Sequence, residues 1–566
     1  MVSNHYIYDY SIEIRYQKAS TKMASGGLSM HTMKKTAIIL TWLLAFLCFG
    51  TTSLCALEIS EAKNAATVYY VNASSAASKP DGSSWAKAYQ DIQSAVDAAA
   101  KDSEVWVAAG TYRSTSDIVL TMKEGVALYG GFAGNESERK QRNWDTNETI
   151  INGDGERRCV LGADNAVLDG FVIAQGFVAF DDDDDYYDDD YKDKSDFPDD
   201  YKLLPAGAGM LNVQSSPTVA NCIFEDHSAY SGGGMYNFES SPAVTDCRFS
   251  SNRSDWGGGM TNTNSSPTIT NCSFENNYSS GGGGMENNDS SPTLTNCSFE
   301  NNIGGEAGGG ILNWTALATV NNCRFMNNVA GWGGGVCNLW GADAVITNCI
   351  FANNVAGEGT GVAVQYSDAT LVNCSLLDLV QTYYSFPSSL HIDDSDVTLI
   401  NCILWAPVSG RISKESGHGN TTVLYSCIKG GYRGEGNISS DPLFADAPDN
   451  MRLSPDSPCI DAGTSSGAPG TDILGRKRPQ GKGIDMGAYE YHRGDEDYVP
   501  DDDNDPGDGT EQDDDSNIKP AWGCGSSKQF YDSEFSSMTV KNMQSDLLLL
   551  GVSVLTLMSF SFFRRS

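Results

Sequence analysis

Nine cysteines, Cys222, Cys247, Cys272, Cys297, Cys323, Cys349, Cys374, Cys402 and Cys427, recur at intervals of 25 or 26 residues, broken once by 28. A chain that repeats one residue type at a period in this range is building a solenoid from copies of one short unit.

The rest of the unit is copied with the cysteine. One copy reads Ser266-Pro267-Thr268-Ile269-Thr270-Asn271-Cys272-Ser273-Phe274-Glu275-Asn276-Asn277, followed by a variable stretch and then Gly282-Gly283-Gly284-Met285-Glu286-Asn287. Three more columns follow: Phe224, Phe249, Phe274, Phe299, Phe325 and Phe351; Met210, Met235, Met260, Met285, Ile311 and Val336; Asn212, Asn237, Asn262, Asn287, Asn313 and Asn338.

Helical repeats need longer units and sustained runs of helix formers. This unit has three consecutive glycines, a Ser-Pro pair and β-branched residues, so it predicts three short strands per turn joined by Asn, Gly and Pro bends. The fold class is all-β. Cys and Phe two residues apart share one face, as strand periodicity requires. Ile269 breaks that parity with Cys272, and Asn271 between them explains the break if it takes the left-handed conformation at a corner. Stacking the copies at about 4.8 Å puts Cys on Cys, Phe on Phe and Asn on Asn in a parallel β-helix, about 60 Å long for about twelve turns. A continuous ladder with an odd number of cysteines has no unique pairing, so it reads as a column of small buried thiols. Cys459 and Cys524 lie outside it.

The ends of the chain concern location. Met33 to Ala56 carries Lys34-Lys35, an apolar run from Ala37 to Phe49 and small residues ending at Ala56, which reads as a secretory signal. Residues 1–32 lack that character and read as a non-native extension, with translation starting at Met33. Leu547 to Phe563 is an uncharged run of 17 residues followed by Arg564-Arg565, read as a terminal membrane or sorting helix. The net charge of −36 is concentrated: residues 181–200 hold twelve Asp against two Lys, and residues 495–515 hold twelve acids and no base. No basic surface for nucleic acid is present.

Between the ends, residues 66–205 read as the N-terminal cap and first turns, with the acidic insertion at 181–200. A capping helix is predicted over Ser84 to Ala100, with Trp85, Tyr89, Ile92 and Val96 at helical spacing. Strands are predicted at Val68 to Val71, Glu104 to Ala108, Val126 to Phe132 and Val167 to Ile173. Regular turns occupy 206–430, a compact polar segment 441–491 and an acidic linker 495–546.

Ser84-Trp85-Ala86, Val105-Trp106-Val107-Ala108-Ala109-Gly110-Thr111-Tyr112 and Val126-Ala127-Leu128-Tyr129-Gly130-Gly131-Phe132 resemble the opening of bacterial right-handed parallel β-helix proteins of the pectin-lyase-like superfamily. The turns resemble polymorphic outer membrane protein repeats, whose Phe-x-x-Asn mark falls at Phe249/Asn252, Phe274/Asn277, Phe299/Asn302, Phe325/Asn328 and Phe351/Asn354, with His227 replacing Asn after Phe224. Asp441-Pro442-Leu443-Phe444, Ser457-Pro458-Cys459-Ile460-Asp461-Ala462-Gly463 and Asp485-Met486-Gly487-Ala488-Tyr489-Glu490-Tyr491 resemble the choice-of-anchor Q domain. That resemblance implies a downstream sorting segment and a place at the cell envelope or surface, anchored or released after processing.

The pectin-lyase-like resemblance brings polysaccharide lyases and glycosidases into view. A lyase needs an acidic calcium cluster with a basic residue poised to take a proton, and a hydrolase needs paired carboxylates. The charged residues of the turns, Glu225, Asp255, Glu286, Glu306 and Glu358, are scattered with no neighbouring Arg or Lys in the sequence, and His391 and His418 lack metal-ligand spacing. No catalytic residue or cofactor is assigned. Asp501, Asp503, Asp505 and Asp508 supply hard oxygens for calcium, with Pro506 where the loop motif requires glycine. Trp256, Trp314, Trp332, Trp340 and Trp405 are recognition candidates; Trp256 and Trp332, each preceding a Gly-rich turn, have two readings, a shared side that stacks on sugar rings or packing on neighbouring loops, and the second is favoured. The reading favours a secreted, envelope-anchored surface protein that displays a face for polysaccharide or a cell-surface protein, with the membrane reached through its C-terminal segment. The alternative is a carbohydrate-active enzyme.

Overall fold

Each copy of the unit contributes one strand to each of three parallel sheets. The copy around Cys297 supplies Met285–Asn288, Thr293–Thr295 and Ser298–Glu300. These pair in register with Ile311–Trp314, Thr319–Asn321 and Arg324–Met326 of the next copy. The structure is a computed structural model that describes residues 66–179, 204–377, 388–405, 412–415 and 418–492. The chain divides into two units, Met1–Ala65 and Ala66–Ser566, and all described residues belong to the second. Among them the sheets hold 13, 11 and 12 strands, a parallel β-solenoid of about eleven turns. A fourth sheet, of four strands, is formed by Tyr278–Gly281, Ile303–Ala307, Val329–Trp332 and Val355–Glu358, a stretch that the sequence marked only as variable.

Most corners between the first and third sheets are left-handed residues other than glycine. Asn271, Asn296, Asn322 and Asn348 have φ of 53° to 55°, which turns the chain between the first and third sheets and resets the inward face, as the parity break at Ile269 predicted. Two further columns behave alike: Asn276, Asn301, Asn327 and Asn353, and the mixed series Asn264, Asp289, Thr315, Trp340 and Tyr366. The glycine triplets have two separate reasons. Gly282 sits at φ +69°, and a Cβ on Gly284 would lie 2.7 Å from the Phe299 ring, so the triplet both bends the chain and makes room for the phenylalanine column.

Inside, Phe224 through Phe351 stack with centroids 4.7 to 5.0 Å apart, and the cysteines from Cys222 to Cys402 are buried beside them. Burial pushes the Cys247, Cys297 and Cys323 thiols well above their usual range. Asparagine forms two buried ladders. From Asn212 to Asn338 each Nδ2 donates to the next Oδ1 at 2.8 to 2.9 Å. In the second ladder Asn277 donates from Nδ2 to both Phe249 O and Asn302 Oδ1. His227 heads that second ladder. Its Nε2 lies 3.0 Å from Ile173 O, and its Nδ1 accepts from the Gly176 amide at 2.8 Å. One imidazole therefore supplies the donor and the acceptor that asparagine supplies elsewhere.

Segment 441–491 folds back along the outside of the last turns. Asn348, Asn373 and Asn401, all corner residues, donate to Thr471 O, to Asp485 O and Gly487 O, and to Thr464 O. Its own interior is ionic: Arg478 and Glu490 pair at 2.7 Å with both side chains fully buried. Asp472 and Asp485 add carboxylates that accept backbone N–H groups.

Three expectations change. The capping helix spans only Ile92–Ala98, with Asp91 capping Ser94 N and a short 3₁₀ turn at Trp85–Lys87 before it. Tyr89 instead bridges to Val71 as a strand residue. The strand expected over Val167 to Ile173 is two, Val167–Asp169 and Val172–Ala174, separated at Gly170 where φ is +82°. Cys427 is not the ninth rung. Tyr425 takes the corner (φ 48°), and Ser426 Oγ accepts from the Cys402 amide at 2.9 Å, in the place that Cys349 Sγ holds toward the Cys323 amide. Cys427 pairs with Ile403, so the one-residue step turns its thiol outward.

Candidate functional site

The outer face of the second sheet is where aromatic side chains gather. Along it, Tyr236, Thr261, Glu286, Leu312, Cys337, Ala363, His391 and Ser413 follow one another in register. They alternate with the inward Met and Asn columns, as a two-residue period dictates. On one flank Trp314 and Trp340 lie 6.4 Å apart, and Trp340 stacks on Tyr366 at 4.7 Å. On the other flank Trp256, Gly281, Ala307, Trp332 and Glu358 align in register. A Cβ on Gly281 would meet the Trp256 indole at 2.7 Å, so the small residues between the two tryptophans leave room for the ring.

Leu312, Cys337 and Ala363 form a buried floor on which Trp256, Trp314 and Trp340 rest, half-buried, while Trp332 (37%) and Tyr366 (40%) are exposed. The face therefore combines ring surfaces held by packing with open edges, the amphipathic arrangement used to contact partly apolar ligands. Between Met210 and Asp393 the carboxylates of its strands meet no strand cation, and Lys414 enters only in the last strand, beside Ser413. No Arg or Lys occurs in the second-sheet strands between Met210 and Asp393 or in the flanking four-stranded sheet.

Glu286 and His391 are among the titratable groups of this face. Glu286 is buried beside Thr261, its neighbour in register, and desolvation raises its carboxyl to about 8. His391 is also buried. Its Nδ1 lies 3.0 Å from Ser413 Oγ and 3.2 Å from Glu358 Oε2, the Trp332 ring is edge-on at 5.8 Å, and Nε2 has no hydrogen-bond partner. A serine nucleophile needs its hydroxyl on one ring nitrogen and the carboxylate on the other. Here both meet Nδ1, which does not build that relay. The arrangement holds a histidine beside a half-exposed carboxylate and an exposed indole.

The ladder residues Cys222, Cys247, Cys272, Cys297, Cys323, Cys349, Phe249, Phe274, Phe299, Phe325, Asn237, Asn262 and Asn287 are all buried. They line the interior. Trp256 and Trp332 share one column; Trp256 is half-buried against the floor and Trp332 is exposed. Trp405 is elsewhere, under Lys429 at 5.5 Å in the C-terminal region. Two expectations of isolation change: Glu225 pairs loosely with Arg248 at 3.9 Å, and His391 meets Glu358 across a strand pairing that spacing alone does not display. Asp501, Asp503, Asp505 and Asp508, the insertion at 181–200, Met33 to Ala56 and Leu547 to Phe563 lie outside the described residues. Among the described residues there is no cluster of three or more His, Cys, Asp or Glu placed to hold a metal, and no helix long and apolar enough to cross a membrane.

Residues 203–318 match the family model of the right-handed beta helix region. No curated protein matches the chain. Among solved structures, pectate lyase Pel9A is similar at 13% identity and a TM-score of 0.40, over 75% of this chain and 96% of that one. The mannuronan C-5 epimerase AlgE6 A-module of Azotobacter vinelandii follows at 13% and 0.29, over 62% and 91%. The Streptococcus pneumoniae surface adhesin PfbA aligns at 13% and 0.26, over 63% and 92%. The described residues form a parallel β-solenoid, and within it residues 203–318 are a right-handed beta helix region.

Proposed function

We propose that this is an exported, envelope-anchored β-helix whose second-sheet face binds an extended, uncharged polysaccharide at the cell surface. The observation that carries the reading is the aromatic strip Trp314, Trp340 and Tyr366, set across the buried floor from Trp332. Ring faces stack on the apolar faces of sugars. The acidic surroundings repel polyanions and leave neutral glycans as the better-matched class. Export and anchoring rest on Met33 to Ala56, the resemblance of 441–491 to a choice-of-anchor segment, and Leu547 to Phe563.

Affinity electrophoresis of the full chain through gels containing neutral or acidic polysaccharides tests it. Retardation by a neutral glycan, lost in Trp332→Ala and Trp340→Ala, supports the reading; equal mobility in every gel contradicts it. A second reading, a carbohydrate-active enzyme, draws on Glu358 beside His391. New reducing ends or unsaturated products from the same polysaccharides, abolished in Glu358→Gln, would favour it over display.

A further inference from the structure

We propose that Cys427 and Cys459 are a disulfide-forming pair that fastens the C-terminal segment to the last turn of the solenoid. The inference is independent of any ligand on the aromatic face. Both cysteines are fully buried in one cluster with Ile403, Leu453 and Met486, where the Cys427 thiol donates to Ser440 O at 3.1 Å. Both backbones are fixed. Cys427 N donates to Cys402 O at 2.8 Å, and Cys459 O accepts from Met486 N at 3.0 Å while its N donates to Ser457 Oγ at 3.2 Å.

The ladder thiols differ in kind. They stand side by side in register, so their Cβ atoms follow the inter-strand spacing of about 4.8 Å, wider than the ~3.8 Å typical of a disulfide. Each also points its sulfur at a carbonyl two residues back in its own turn, as Cys247 does to Thr245 O and Cys297 to Thr295 O, whereas the Cys427 sulfur reaches forward to Ser440 O. Cys427 left that column through the one-residue step at Ser426, and Cys459 arrives from a separate turn. The pair is thus free of the parallel constraint.

The structure holds both residues as thiols, and the neighbouring Cys459 together with burial pushes the Cys427 thiol far above its usual range. Exchange therefore takes place before the segment docks, when the thiols still ionise in water. The Cys427 thiolate attacks a small-molecule disulfide such as glutathione disulfide, forming a mixed disulfide and releasing one thiolate. The Cys459 thiolate then attacks the Cys427 sulfur, closing the protein S–S bond and releasing the second thiolate. Two thiol protons are lost and two electrons pass to the oxidant.

The test is refolding of the full chain with glutathione disulfide, denaturing alkylation, and peptide mapping without reduction. The expected result is a linked Cys427–Cys459 peptide with Cys247, Cys272 and Cys297 alkylated. Recovery of Cys427 and Cys459 as separate alkylated peptides, or joined to ladder cysteines, overturns the proposal. In the oxidised protein, proteolysis within 441–491 should be slower by about tenfold or more than in Cys459→Ser or in reduced wild type, with Cys272→Ser in the oxidised state cleaved as slowly as wild type. Equal cleavage of oxidised and reduced wild type would show that the pair fastens nothing.

Discussion

Asn313 donates its side-chain Nδ2 to Oδ1 of Asn338 at 2.8 Å, and the amide chain stops there because Val364 is the next residue in the column. The ladder is thus a directed chain with two open ends. Asn212 Oδ1 and Asn338 Nδ2 are its unpartnered atoms, and a Cβ on Gly162, before Asn212, would come within 1.8 Å of that oxygen.

Position along the chain therefore sets the cost of a substitution. Asn287→Val strands a donor on Asn262 and an acceptor on Asn313 and should destabilise by about 2 to 5 kcal/mol. Asn338→Val only moves the open end back to Asn313 and should cost about 1 kcal/mol or less. Urea unfolding of the two variants checks this; equal losses would contradict the directed chain.

Phe274 lies between Phe249 and Phe299 at 4.8 and 4.7 Å and is fully buried. Phe274→Ala should cost about 3 to 5 kcal/mol, since neighbours fixed by their own strands cannot close the cavity. A loss below about 1 kcal/mol in the same denaturation assay would mean that the column collapses around the gap.

Two buried groups give stability opposite pH slopes. Burial lowers His227 from 6.5 to about 3. Its contribution is complete above pH 6.5 and is lost as pH falls toward 3, because only the unfolded chain takes up the proton, by about 4 to 5 kcal/mol in all. Glu286 is raised from 4.5 to about 8, so its contribution is complete below pH 4.5 and is lost as pH rises to 8, by a similar ~5 kcal/mol. Glu286→Gln should flatten the alkaline side of a plot of urea midpoint against pH. An unchanged slope between pH 5 and 8 would contradict the buried carboxyl.

Arg478 is the cation among the buried carboxylates Asp472, Asp485 and Glu490. Arg478→Met leaves Glu490 buried without its ion partner and should weaken docking of 441–491 by about 3 to 5 kcal/mol. Hydrogen exchange should quicken in that segment while the strands around Phe274 stay protected. Uniform exchange across both regions would show that the segment and the turns unfold as one unit.

The repeat makes the architecture readable: Ile269, Asn271, Cys272 and Phe274 together define the strand faces and one corner. What escaped had physical causes. Spacing counts residues, while register follows the corner, so a 25-residue interval placed Cys427 in a column where Ser426 stands. Trp85 and Tyr89 have helical spacing but are used by a 3₁₀ turn and a strand bridge. The docking of Gly487 on Asn373 and the meeting of His391 with Glu358 join residues from different turns, which no local pattern encodes. The aromatic side was legible only at Trp256 and Trp332; the Trp314, Trp340 and Tyr366 strip needed the register of the second sheet.

The central claim is that the aromatic face recognises a neutral glycan, and the most direct measurement is calorimetric titration of the full chain with linear neutral and uronic-acid oligosaccharides. The account predicts heat of binding with a neutral oligosaccharide, about tenfold or more weaker in Trp340→Ala and in Trp332→Ala, and none with the uronic acids. Binding of acidic oligosaccharides alone, or binding of neutral ones that both substitutions leave unchanged, would contradict it.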